Sequence, residues 1–152
     1  MGGQRVRRSA HLSVGLPFDS SVAAVARKEI ASLLGEGVQS DDSVVLVCSE
    51  LATNAYCHGS EPIRLKAHVE VTDVAAAVEI TVTDGGAAPR ARGNANPEEF
   101  GRGWLIVSAL AAHSALDVGE RRSRAWCRLL LPTHRGASTP GCRGPKGSAD
   151  DC

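Results

Sequence analysis

Aromatic side chains are nearly missing from this chain: its 152 residues include two Trp, one Tyr and two Phe. Rings therefore cannot supply the core, and Val, Leu, Ile and Ala must fill it. Long apolar runs are missing as well. None approaches the ~20 residues needed to cross a bilayer, which excludes a membrane-spanning helix. Net charge is absent, 17 Lys and Arg being balanced by 17 Asp and Glu. Direct nucleic-acid binding needs a clustered cationic surface, so this balance argues against it. The small groups Arg5, Arg7, Arg8 and Arg121, Arg122, Arg124 read as solvated surface. Of the five cysteines, Cys48, Cys57, Cys127, Cys142 and Cys152, none forms a CxxC pair, which argues against a metal site. Cys48 and Cys57 fall on one expected helix, more than two turns apart, and cannot bridge to each other. An odd cysteine count without a secretory signal fits a reducing cytosol, so a cytoplasmic location is expected.

What is present fits one domain. Apolar content of 43% and charged content of 22% are ordinary for a globular chain of this length. Residues 1–9 read as a flexible, basic start, residues 10–132 as the domain, and residues 133–152, rich in Gly, Pro, Ser and charge, as a disordered tail. Within the domain, His11–Leu16 alternates polar and apolar side chains and predicts a first strand. Asp19 or Ser20 caps a helix to about Leu34, where Gly35 and Gly37 stop it. Asp41 and Asp42 open a second helix, which runs to His58 and ends at Gly59. Ile63–Val71 and Ala77–Thr83 alternate as strands with one wet face. Residues 87–100 read as a mobile loop, Trp104–Ala112 as a third helix, and Leu116–Val118 with Ala125–Leu131 as a last pair of strands. The expected architecture is α+β, a two-layer sandwich of a mostly antiparallel sheet with helices on one face.

Three short segments could carry chemistry. Glu50, Asn54 and His58 recur every fourth residue and share one face of the second helix. Phosphoryl transfer needs a metal to neutralise charge and a group to orient or deprotonate the nucleophile. The Asn54 oxygen suits Mg²⁺, and the Glu50 carboxylate can take a proton. The same two residues also read as a solvent-facing polar pair, and His58 as a partner of the helix C-terminal dipole. Asp84, at the end of a strand, could accept a hydrogen bond from an adenine amino group, with Gly86 letting backbone approach the base. Asp84-Gly85 equally reads as a plain turn. Gly101-Arg102-Gly103 precedes the expected third helix. Its amides could bind phosphate and Arg102 could add charge, or the segment could be a hinge.

Taken in order, the segments resemble the boxes of the GHKL superfamily, the Bergerat ATP-binding fold. Glu50-x-x-x-Asn54-Ala55-x-x-His58 resembles its N box, Asp84-Gly85-Gly86 its G1 box, and Gly101-Arg102-Gly103-Trp104 its G2 box, over residues 10 to 132. Within it, the small size resembles the anti-sigma-factor serine/threonine kinases. That resemblance implies ATP and Mg²⁺, an RNA polymerase sigma factor as inhibited partner, and a STAS-domain antagonist as the phosphorylated one. It also implies a homodimer, for which the edge of the first strand would serve. It implies that Glu50 is the general base and Asn54 the Mg²⁺ ligand. Asp84 and Gly86 would hold the base, and Gly101, Arg102 and Gly103 would form a lid over the phosphates. Arg27 on the first helix is an expected partner contact. Trp104 stands where the family usually has Leu, and Ala88 where a further glycine is common. These departures support an alternative without catalysis, in which nucleotide only tunes partner affinity. A free-standing ATP hydrolase is the third reading.

Overall fold

The computed structural model describes residues 5–35, 38, 42–87 and 97–133, with 97–100 described by their backbone alone. The chain runs β1 (Val6–Leu16), α1 (Val22–Leu34), α2 (Asp42–His58), β2 (Ile63–Thr72), β3 (Ala75–Asp84), α3 (Pro97–Leu110), β4 (His113–Asp117) and β5 (Ser123–Pro132). The strands form one antiparallel sheet in the order β1-β2-β3-β5-β4. It is an α+β sandwich, as the alternation predicts.

Period-two patterning sets the layers. In β2, buried Ile63, Leu65, Ala67 and Val69 alternate with Arg64, Lys66, His68 and Glu70; in β3, Ala76, Val78, Ile80 and Val82 are buried. A one-residue slip would turn every apolar side chain to water, so this pattern fixes the register. The apolar stripes of α1 (Val22, Ala26, Ile30, Leu33) and α2 (Val44, Val47, Cys48, Leu51, Ala55) close over the buried face. Aliphatic side chains supply the core. Among the described residues no helix is long and apolar enough to cross a membrane.

Both ends of α1 are fixed by polar contacts. The Asp19 carboxylate accepts from the Ser21 amide at 2.7 Å and the Ser21 hydroxyl at 2.5 Å, and the Asp19 carbonyl accepts from the Val22 amide at 3.1 Å. The hydroxyl, then the amide, hold the Asp19 carboxyl below its usual range. At the other end Gly35 takes φ 61° and ψ −173°, a conformation essentially reserved for glycine. Arg8 of β1 then donates to the Leu33 and Leu34 carbonyls at 2.7 Å each. Helix C-termini leave such carbonyls without partners, so Arg8 is a cap rather than solvated surface.

Several boundaries depart from the sequence reading. The first strand starts at Val6, not His11, because β1 stays paired with β2 as far as Thr72, across an irregularity between Val6 and Arg8. The flexible start therefore excludes residues 6–9. Residues 134–152, most of the expected tail, lie outside the described residues, as do 88–96 of the expected loop; Thr133 donates to the Asp73 carbonyl at 3.3 Å. β4 begins at His113, before the expected Leu116, and β5 at Ser123. The largest difference is α3. It starts at Pro97, so Gly101 and Gly103 lie inside it rather than before it. Proline at a first helical position with Glu98 and Glu99 after it is a strong start signal, and it prevails over the two glycines.

Candidate nucleotide site

The site lies where α2, the end of β3 and α3 meet. On α2, Glu50, Asn54 and His58 sit one turn apart beside buried Leu51 and Ala55. The helix stops at Gly59, whose amide donates to the Ala55 carbonyl at 3.0 Å. Gly59 must lack a side chain because the Asp84 carboxylate packs against it; a Cβ there would lie 2.6 Å from Asp84 Oδ2.

The turn after β3 is held from three directions. The Gly86 amide donates to Asp84 Oδ1 at 2.8 Å, the Gly85 amide to the Ser60 carbonyl at 2.6 Å, and Ser60 Oγ to the Gly86 carbonyl at 3.0 Å. Ala87 donates to the Gly119 carbonyl in the β4–β5 turn at 2.9 Å. Gly86 has φ 106°, and a Cβ on it would overlap the Glu120 backbone. These bonds fix the Asp84 carboxylate at a cavity of about 240 Å³. Leu51, Ala55, Val82, Leu116, Val118 and Ala125 form its apolar walls; Asn54, His58, Asp84 and Ser123 supply polar groups, and Trp104 borders it. That volume falls just under the ~300 Å³ at which drug-sized pockets begin, which suits a flat base rather than a whole nucleotide.

α3 closes onto the same place. Gly103 is buried, and a Cβ there would lie 2.6 Å from Glu50 Oε2 and 3.2 and 3.3 Å from Asn54 Oδ1 and Nδ2. The helix backbone thus rests directly on the two side chains read as base and metal ligand.

Of the residues expected from sequence, Asn54 and Asp84 line the cavity. Gly86 is tied to it through Asp84, and Glu50 and Gly103 meet beside Asn54. Gly101 and Arg102 are not brought in: Arg102 is exposed on α3, and nothing lies within 4 Å of a Cβ at Gly101. Because both are inside a helix, their amides are not the free helix-start donors that sequence suggested. His58, read as a dipole partner, also borders the cavity. Arg27 donates to Ser49 Oγ at 3.0 Å, joining α1 to α2. Sequence reasoning missed Ser123. Its signal was parity with buried Cys127, Leu129 and Leu131, which places it on the inner face of β5.

The sequence model for the histidine kinase-like ATPase domain matches residues 17–127. The chain belongs to that family. No curated protein matches it. Histidine kinase-like ATPase domains of this GHKL type bind ATP, usually with Mg²⁺, and the residues present fit both. An apolar slot with a fixed carboxylate at its wall suits adenine. Glu50 and Asn54 present hard oxygens side by side. No cluster of three or more metal-binding side chains occurs among the described residues; Mg²⁺ ordinarily takes one or two protein oxygens and completes its shell with phosphates and water.

Proposed function

We propose that this domain is a protein serine/threonine kinase of the anti-sigma class, which binds a sigma factor and phosphorylates a STAS-domain antagonist. One observation carries the reading: Glu50 and Asn54 meet at Gly103, immediately beside a base-sized cavity that holds the Asp84 carboxylate. Asp84 accepts the hydrogen bond of the adenine amino group. Asn54 would provide the protein oxygen for Mg²⁺. Bound Mg-ATP would supply the phosphoryl group, with the metal neutralising its charge. Glu50 would take the proton from the attacking serine hydroxyl as its oxygen bonds to the γ-phosphorus, while the bond from that phosphorus to the β,γ-bridging oxygen breaks and ADP leaves with the electron pair. Arg102, exposed on α3, is proposed as a further phosphate contact.

The test separates binding from transfer. Glu50→Gln keeps the size of the side chain and removes the base. Titration calorimetry should show Mg-ATP binding retained, while phosphate transfer to a purified STAS-domain antagonist falls about 100-fold or more. Unchanged transfer would remove Glu50 from its role. Co-purification from the native cell with and without Mg-ATP identifies the sigma factor.

A second reading, an ATP-binding module without turnover, has its own observation: α3 lies on Glu50 and Asn54, and Trp104 borders the cavity. Under it, Glu50→Ala leaves control of the partner unchanged in cells.

A further inference from the structure

The face of the sheet turned away from α1 and α2 carries a second concavity. It is a groove of about 470 Å³ lined by Lys66, Thr81, Thr83, Asp117, Arg122 and Arg124. The strand register explains the grouping. Thr83 stands opposite Arg64 on one side and Arg124 on the other, and Arg124 stands opposite Asp117. One row along, Thr81 stands opposite Lys66. Directly opposed residues share a face, so Arg64 and Lys66 project with Arg124, and Arg122 joins them from the β4–β5 turn.

Arg64, Lys66, Arg122 and Arg124 are all exposed. None belongs to an ion pair among the described residues, where the pairs are Arg7–Asp73 and Arg128–Glu79. Four cations against Asp117 make this corner positive in a chain with formal net charge +0. Arg64 and Lys66 on β2 are separated by β3 from Arg124 on β5, and of these only Arg124 has an opposite charge directly across from it, in Asp117; cross-strand pairing therefore does not account for the rest of the cluster.

We infer that this groove binds an acidic segment of a partner protein. Guanidinium groups match carboxylates in fork geometry, and the Thr81 and Thr83 hydroxyls add donors between them. Asp117 disfavours a phosphate backbone but can accept a peptide amide. The short span of the cations also falls short of the row of phosphate contacts that nucleic-acid affinity rests on. The inference does not depend on the nucleotide chemistry proposed above, because the groove lies on the other face of β3 and β5.

The experiment is fluorescence anisotropy of a short fluorescein-labelled polyglutamate peptide titrated with the full chain. Saturable binding that weakens with added salt is expected, and Arg122→Glu with Arg124→Glu should weaken it about tenfold or more, since two attractions become repulsions. Lys28→Glu, exposed on α1, should leave it unchanged. If the double reversal lowers the melting temperature, Lys66→Gln with Arg122→Gln replaces it. Amide exchange should show protection at β3, β5 and the β4–β5 turn. Absence of saturable binding, equal loss in Lys28→Glu, or protection elsewhere would overturn the inference. So would tighter binding of a single-stranded oligonucleotide at the groove, or a self-association in sedimentation velocity that the double reversal abolishes, because a second copy would then be the occupant.

Discussion

The glycines of the site sort by what their missing side chain would strike. At Gly103 the obstacle is the ends of Glu50 and Asn54, which can rotate away. At Gly86 it is the Glu120 backbone, and φ is 106° besides. Gly86→Ala should therefore lose at least ~2 kcal/mol of stability from overpacking and strain together, read by denaturant unfolding. Gly103→Ala should unfold at nearly the same denaturant concentration; on the proposed reading it should also lose most of its phosphate transfer, since the swing that relieves the clash displaces Glu50 and Asn54. If Gly103→Ala lost stability as Gly86→Ala does, α3 rather than the side chains would be the rigid partner. These distinctions were only half legible in the sequence. The order of Glu50, Asn54, Asp84 and Gly103 pointed to residues that the fold brings around one cavity, whereas Gly101 stands apart from it. That Gly59 gives way to Asp84, or Gly103 to Glu50, depends on elements far apart in the chain.

At the scale of elements, α1 shows how an end can be fixed from outside. Arg8 donates to two of its last carbonyls, and Gly35 supplies a backbone geometry that other residues adopt poorly. Arg8→Ala should cost about 1–2 kcal/mol, less than the full value of two charge-assisted bonds because the site is only partly buried. Gly35→Ala should cost a similar ~1–3 kcal/mol through strain. Thermal unfolding measures both, and hydrogen exchange should place the loss in the last turn of α1. Arg8 was unreadable in advance, being 25 and 26 residues from its acceptors, and a lone arginine in a basic stretch looks like surface. The strands β2 and β3 were readable because their alternation is local. The start of α3 was misread because two glycines outweighed Pro97 and the glutamates after it.

For the whole molecule, the cysteines report on integrity. Cys48 and Cys127 are fully buried. Burial pushes both thiols up to about 12, with the neighbouring Cys127 adding to the shift at Cys48. A folded-state value above the unfolded one of 9.0 means that the stabilisation is whole below pH 9 and is lost as pH rises toward 12. Stability should fall above pH 9 by up to ~1.4 kcal/mol per pH unit for each thiol. A Cys48→Ala, Cys127→Ala variant should lack that slope. At neutral pH, native-state alkylation followed by mass spectrometry should modify exposed Cys57 and spare Cys48 and Cys127 until the chain unfolds. The contact of α3 with Glu50 and Asn54 has a consequence at this scale too. On the proposed reading the helix is a tenant of the phosphate end of the site, and a ligand that reaches that end must evict it. Measured affinity for the full nucleotide is then the intrinsic affinity scaled by the fraction of molecules whose helix has already moved out. Adenosine, which needs only the base cavity, escapes that tax, so any partner that draws α3 outward acts as a selective landlord for triphosphate.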